Sequence, residues 1–149
     1  MTFLVDTNVI LRWVDLEDPG SPTAVAAVMA LHDHGARICV STQNLTEFWN
    51  VATRPRVVNG FGMTPQAVDL DLSRIEGFFE LLHDGPEVYR EWRRLVASHG
   101  VCGRQVYDAR LAASMRTNKV TYLLTFNNAD FHRYPGVIAV HPKDVAPAP

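Results

Sequence analysis

The amino-acid sequence predicts an α/β fold: a parallel sheet with helices covering both of its faces. Two observations carry this. Short apolar runs, Phe3-Leu4-Val5 foremost, show no polar alternation, as strands buried on both faces do not. Between these runs lie segments whose apolar residues recur at helical spacing, so that strand and helix alternate along the chain. The length of 149 residues suits one domain with a real core. No repeat or linker divides it, and the expected layout is one domain over 1–141 with a frayed, proline-rich tail over 142–149.

The first strand, Thr2–Val5, runs into Asp6-Thr7-Asn8, and a helix follows over Val9–Leu16 until the turn residues Glu17-Asp18-Pro19-Gly20. Ser21 as N-cap and Pro22 in the first helical position open the next helix. Val25, Val28, Met29 and His32 share a face of it, and Gly35 stops it. His32 and His34 point in different directions and belong to the surface or core edge, not to a metal site. Arg37–Ser41 is the second strand, and a helix through Leu45–Ala52 ends before Pro55.

After the Asn59–Gly62 loop, Thr64-Pro65 starts a helix with Val68, Leu72, Ile75 and Phe79 in one stripe. Phe79–Leu82 is a short strand. Gly85-Pro86 opens a helix with Val88, Trp92, Leu95 and Val96 in register. Arg90, Arg93 and Arg94 lie mostly on its other face, where solvation explains them. A loop over Val101–Val106 leads to a helix from Tyr107 to about Asn118. Val120–Leu124 is a strand, Thr125–His132 a loop with one helical turn, and Val137–His141 the last strand.

Hydrophobic residues at 47% and charged residues at 20% describe a folded domain, not a disordered chain. The net charge of −2 argues against a protein that coats nucleic acid, but not against a nuclease whose acidic site is offset by metal ions. Cys39 and Cys102 lack paired metal-ligand spacing and are expected to be buried free thiols in a reducing compartment. No basic region precedes the N-terminal apolar residues and no apolar run reaches spanning length, so the expected location is cytoplasmic, with no membrane contact.

Three carboxylates stand out. Asp6 ends the first strand, where open α/β sheets bind ligands, although an acid there also caps the helix that follows. Asp108 heads the stripe of Leu111, Ala112 and Met115 and should point toward the sheet; favourable charge in a first helical turn is the alternative. Glu47 stands beside Phe48, one turn before Val51, or else is a surface acid near an arginine. Isolated buried carboxylates are costly unless paired, hydrogen-bonded or bound to a cation. A further strand, Leu123-Leu124, also ends in polar side chains: Thr125, Asn127 and Asp130. Oxygen donors of this kind suit Mg²⁺ or Mn²⁺, not zinc. No Ser-His-Asp or Cys-His arrangement and no glycine-rich phosphate loop accompanies them.

The strand ending in Asp6-Thr7-Asn8, Glu47 within Gln43-Asn44-Leu45-Thr46-Glu47-Phe48-Trp49, the Tyr107-to-Ala113 run and the Thr125-to-Phe131 stretch resemble PIN-domain proteins. In particular they resemble the VapC-type ribonuclease toxins of type II toxin–antitoxin pairs, over essentially the whole chain. The resemblance implies a three-layer α/β/α sandwich with a mostly parallel central sheet. It implies a Mg²⁺- or Mn²⁺-dependent endoribonuclease hydrolysing RNA by metal-activated water, a homodimer, and inhibition by a cognate antitoxin. By position, Asp6, Glu47 and Asp108 match the family's most consistent acids, the expected metal ligands. Asn127 stands where many members carry a fourth acid, with Asp130 nearby; both are expected to help hold a second ion or orient water. An amide brings no charge, which puts that second ion in doubt.

Thr7 and Thr125 are expected to support the acids, and Arg12, Arg54, Arg104 and Arg110 are candidates for phosphate contact. Single-stranded or looped RNA is the expected substrate, because a duplex hides its base edges; Trp13, Trp49 or Phe126 would stack a base. Two alternatives stand beside this one. The chain is a catalytically inert PIN-like binding module, or an aspartyl phosphotransferase with Asp6 as nucleophile. The latter is disfavoured by Asn8, where such enzymes need a second Asp.

Overall fold

The computed structural model of the chain describes residues 1–145. Its elements in order are β1 (Thr2–Val5), α1 (Thr7–Val14), α2 (Ser21–Asp33), β2 (Arg37–Ser41), α3 (Thr42–Thr53), α4 (Pro65–Phe78), β3 (Glu80–Leu82), α5 (Pro86–Ser98), α6 (Gln105–Thr117), β4 (Tyr122–Leu124) and β5 (Ile138–Val140). The five strands form one sheet in the order β3-β2-β1-β4-β5, with β1 at its centre. Every pairing is parallel; Phe3 lies opposite Ile38 on one side and Tyr122 on the other.

Alternation along each strand divides the core into two layers. Phe3, Val5, Ile38, Val40 and Leu124 meet Ile10, Val28, Leu31, Phe48 and Ile75 from α1–α4. Leu4, Cys39, Leu82 and Leu123 turn the other way, onto Val88, Leu95, Ala112 and Met115 from α5 and α6. Leu4, Val5, Val40, Leu123 and Leu124 are wholly buried, which explains why their strands read as unbroken apolar runs. The result is the α/β/α sandwich that the sequence predicts. Parallel strands send all their carboxyl ends to one edge, and that edge positions the polar residues described below.

Five local expectations are corrected. Ser21 is the first residue of α2, Gly20 occupies the cap, and no side chain caps the helix. The buried face of α2 is Ala24, Ala27, Val28 and Leu31, while Met29 and His32 are exposed; small alanines let the helix lie close, so they carry the inward face. Helix α6 begins at Gln105, two residues ahead of Tyr107, so Asp108 lies inside its first turn. Cys39 is buried, but Cys102 is exposed in the loop before α6. Pro142–Asp144 form a 3-10 turn packed against α2, with Pro142 buried; the remainder of the tail expected to fray, 146–149, lies outside the described residues. Among the described residues no helix is long and apolar enough to cross a membrane.

Candidate active site

Asp6 follows β1 and its own N–H donates to the carbonyl of Leu124 at the end of β4 (2.9 Å), which locks the two strand ends together. It is the N-cap of α1: Oδ1 accepts from the Thr7 amide at 2.7 Å. Capping and site chemistry are not exclusive here, because capping takes only one carboxylate oxygen. The other, Oδ2, accepts from the Thr125 hydroxyl (2.6 Å) and from Asn8 Nδ2 (3.2 Å). Asn8 also donates to Thr125 Oγ1 (3.2 Å) and accepts from the Phe126 amide (3.1 Å), so it clasps the ends of β1 and β4. Burial pushes the Asp6 pKa up from 3.8 to about 6; the Thr125 and Thr7 hydrogen bonds oppose the rise, and the charges of Glu47 and Asp108 add to it.

Glu47 is held at both oxygens. Thr7 donates its hydroxyl to Oε2 (2.8 Å) while accepting from Asn44 Nδ2 (3.1 Å). Asn44 is wholly buried and forms the capping box of α3 with Ser41. The device that starts α3 thus also fixes the hydroxyl that Glu47 faces. Gln43 Nε2 donates to Glu47 Oε1 (2.8 Å) and to the carbonyl of Tyr107 (2.9 Å), tying α3 to the first turn of α6. Arg110 donates to Gln43 Oε1 (3.0 Å) and to Asp84 Oδ2 (2.8 Å), completing that tie.

Asp108 enters from α6, on the side of the helix whose later positions, Leu111, Ala112 and Met115, are buried. Burial, then the charges of Asp130 and Glu47, raise its pKa to about 6, and Arg133 pulls the other way. The charges of Glu47 and Asp108 thus reach Asp6, and that of Glu47 reaches Asp108; none of the three has an ion-pair partner among the described residues.

Asn127 and Asp130 are exposed. Asn127 precedes the 3-10 turn Asn128–Phe131 and donates its backbone N–H to Thr125 Oγ1 (3.0 Å); Asp130 lies within that turn. Of the other residues singled out by sequence, Arg12 and Phe126 lie beside the site. The Arg12 guanidinium is 4.5 Å from the Phe126 ring centroid and donates to the Asn8 carbonyl (2.8 Å). Trp13 packs on Phe78 and Phe79, and Trp49 on the same core layer. Arg54 donates to the Asn59 carbonyl in the loop after α3. Asn8, Gln43 and Asn44 stand in the stretches that carry the resemblance, but sequence reasoning gives them no role in the site. The Ser41–Asn44 spacing, a capping-box variant, is the local signal for Asn44.

Among the described residues no three His, Cys, Asp or Glu stand close enough together to form a ready ion-binding group. Their chemistry nevertheless fits a hard divalent cation. The donors are all oxygens, and Asp6 and Asp108 have raised pKa values, which a cation would lower.

Residues 3–137 match the family model described as the PIN domain. Among solved structures, the fold is similar to VapBC2 of Rickettsia felis bound to a promoter DNA fragment, with a TM-score of 0.71 at 16% identity, covering 95% of this chain and 98% of that one. It is similar to Mycobacterium tuberculosis VapC20, described as a sarcin–ricin-loop-cleaving toxin, with a TM-score of 0.62 at 16% identity over 86% and 92% of the two chains. A toxin–antitoxin complex from Klebsiella pneumoniae gives 0.61 at 22% identity over 93% and 96%. At these identities the likeness is one of fold. No curated protein sequence matches the chain.

Proposed function

The chain belongs to the PIN-domain family, and from that premise we propose that it is a divalent-metal-dependent endoribonuclease, the toxin of a toxin–antitoxin pair. One observation supports this above all: acids from β1, α3 and α6 face one sheet edge, and none of them is ion-paired among the described residues. Asp6, Glu47 and Asp108 would hold Mg²⁺ or Mn²⁺. The ion would make hydroxide available from water near neutral pH and offset charge on the phosphate.

The rest is the work of the chain. Thr125 and Asn8 orient Asp6, while Thr7 and Gln43 orient Glu47, so the carboxylates are aimed before anything binds. Asn127 and Asp130, at the open rim, would orient water or contribute to a second ion, the amide without charge. Arg12 and Phe126 together offer a cation and an aromatic face to a phosphate and an unpaired base. The substrate is accordingly single-stranded or looped RNA. A small cognate antitoxin, a homodimer, a single domain and a cytoplasmic location complete the reading. The antitoxin is supported by the toxin–antitoxin complexes among the structures of like fold.

The test compares wild type with Asp6→Ala, purified identically and free of antitoxin, on transfer and ribosomal RNAs. Wild type should cut with Mg²⁺ or Mn²⁺ and stop on chelation; Asp6→Ala should lose cleavage by orders of magnitude while remaining folded. Equal cleavage by both, or none by wild type, removes the assignment.

A further inference from the structure

The cations of this chain are not evenly engaged. Arg12, Arg37, Arg74, Arg94, Arg110 and Arg116 each reach a carboxylate. Arg90, Arg93 and Arg104 reach none among the described residues, and Arg133 donates only to the neutral Gln105 Oε1 (2.9 Å). Arg104 and Arg133 stand at the first turn of α6, and Arg90 and Arg93 on α5, the helix packed against it. Arg104 is its N-cap residue, and Arg133 bonds its first residue and is felt electrostatically at Asp108.

Helix α5 is drawn to the same place by Trp92, whose indole N–H donates to the Val106 carbonyl at 2.9 Å. That contact fixes which flank of α5 borders the first turn of α6. Tyr89, one turn before Trp92 and 5.9 Å from it between ring centroids, lies on that flank, with Arg93 one turn further on. Tyr89, Arg90, Arg93, Arg94 and Ala97 line a shallow hollow of about 390 Å³ on α5. On α6, Tyr107 stands next to Asp108. Tyr89 and Tyr107 are 61% and 59% exposed, large rings left in water beside free guanidinium groups. Helix solubility accounts for surface arginines but not for this pairing. Glu91 is already engaged by Arg94 and Arg116, which leaves Arg90 and Arg93 without a carboxylate.

We propose that Tyr89, Arg90, Arg93, Arg104, Tyr107 and Arg133 form a second RNA-contacting surface, taking the single strand that flanks the scissile phosphate. Arginines meet the phosphates and tyrosines stack the bases. This rests on the nuclease reading and deepens it. An acid cluster in a chain of net charge −2 repels a polyanion; Arg133, which is felt at Asp108, and the unpaired arginines of α5 and α6 would offset that repulsion.

The experiment uses the full chain with EDTA, so that binding is measured without cleavage, and a fluorescein-labelled single-stranded RNA of mixed sequence titrated at several KCl concentrations. Arg90→Gln with Arg93→Gln keeps helix propensity and breaks no ion pair; matching melting temperatures confirm the fold. Losing two phosphate contacts should flatten the slope of log affinity against log salt by about 1.4. Tyr107→Leu should weaken binding by about fivefold or more at every salt concentration while leaving the slope unchanged. A duplex RNA, which offers no free base faces, should not feel Tyr107→Leu.

Wild-type affinity and slope in all these variants overturn the proposal, as does failure of wild type to bind the RNA. Displacement of the RNA by polyglutamate at equal charge concentration also overturns it, assigning the surface to an acidic protein instead. If Asp6→Ala abolishes cleavage while the arginine variants bind normally, this surface falls and the nuclease stands. If the arginine variants lose binding but Asp6→Ala cuts as well as wild type, the nuclease falls and an RNA-binding face remains.

Discussion

Glu91 and Asp6 are both carboxylates in partly buried settings, and the chain treats them in opposite ways. Glu91 accepts from Arg94 (2.6 Å) and Arg116 (2.5 Å), and those bonds, the one from Arg94 foremost, hold its pKa down at about 2. Asp6 and Asp108 are raised to about 6 by burial, with neighbouring acids adding to the effect. Around Glu91 the chain supplies guanidinium groups. Around the strand-end acids it supplies mainly hydroxyls and amides, which aim a carboxylate but do not neutralise it. The first arrangement ties α5 to α6. The second leaves unneutralised negative charge at the end of a rigid sheet, an arrangement that favours cation binding at the expense of metal-free stability.

The sharpest way to break that contrast is to neutralise one acid in each region. Asp108→Asn should reduce metal-dependent RNA cleavage by about 100-fold or more. It should also raise the melting temperature of the metal-free protein, because a repelling charge is gone. Glu91→Gln should leave cleavage unchanged. Loss of cleavage in both variants, read in a gel assay, would mean that the two regions do not differ in role.

Added Mg²⁺ or Mn²⁺ should stabilise the wild type, by about 2.7 kcal/mol when the free ion is at a hundred times its dissociation constant. Asp108→Asn should lose most of that gain and Glu91→Gln none of it. If Asp108→Asn retains the full shift in a thermal melt, Asp108 is not a ligand.

The regions should also respond oppositely to pH. For Asp6 and Asp108 the folded pKa of about 6 lies above the ordinary 3.8, so the folded state holds their protons more tightly than the unfolded state does. Their contribution is most favourable below about pH 4 and is lost as pH rises through about 6, a cost of order 3 kcal/mol for Asp6 and less for the more open Asp108. For Glu91 the folded value of about 2 lies below the ordinary 4.5, so its contribution is present above that pH and is lost as pH falls toward 2. Metal-free protein should therefore be most stable near about pH 4–5 in urea denaturation. Asp6→Asn should flatten the basic side of that profile. A stability that rises steadily from pH 4 to 7 contradicts the cost assigned to the site.

The smallest effect expected is on architecture alone. Glu91→Gln should cost roughly 1 kcal/mol, since its arginine partners are partly open to solvent. Chemical denaturation measures it.

Much of the sheet was legible in the sequence because its three central strands, β1, β2 and β4, are buried on both faces, leaving apolar runs with little ambiguity. The register of Asp108 with Leu111, Ala112 and Met115 was legible for the same reason: helical spacing states which side faces the sheet. The start of α6 was not, because Arg104 offers no side-chain cap to mark it. The inward face of α2 was hidden because alanines carry it, and pattern reading weighs Val25 and Met29 above Ala24 and Ala27. The polar network was beyond sequence reasoning for a different reason. Asn44 meets Thr7 across 37 residues and Asn8 meets Thr125 across 117, distances in the chain over which no local rule operates.

The claim at the centre is that Asp6, Glu47 and Asp108 share one divalent cation. Titration calorimetry of Mn²⁺ into the metal-free protein, run at pH 6 in two buffers of different ionisation enthalpy, reads the protons released on binding. Ligand carboxylates must deprotonate, and Asp6 and Asp108 are each near half-protonated at that pH. Binding should release about one proton in total at pH 6 and close to none at pH 8, and Asp108→Asn should reduce the release at pH 6. Mn²⁺ that binds at pH 6 with no proton release, or that binds Asp108→Asn as it binds wild type, contradicts a site built on these acids.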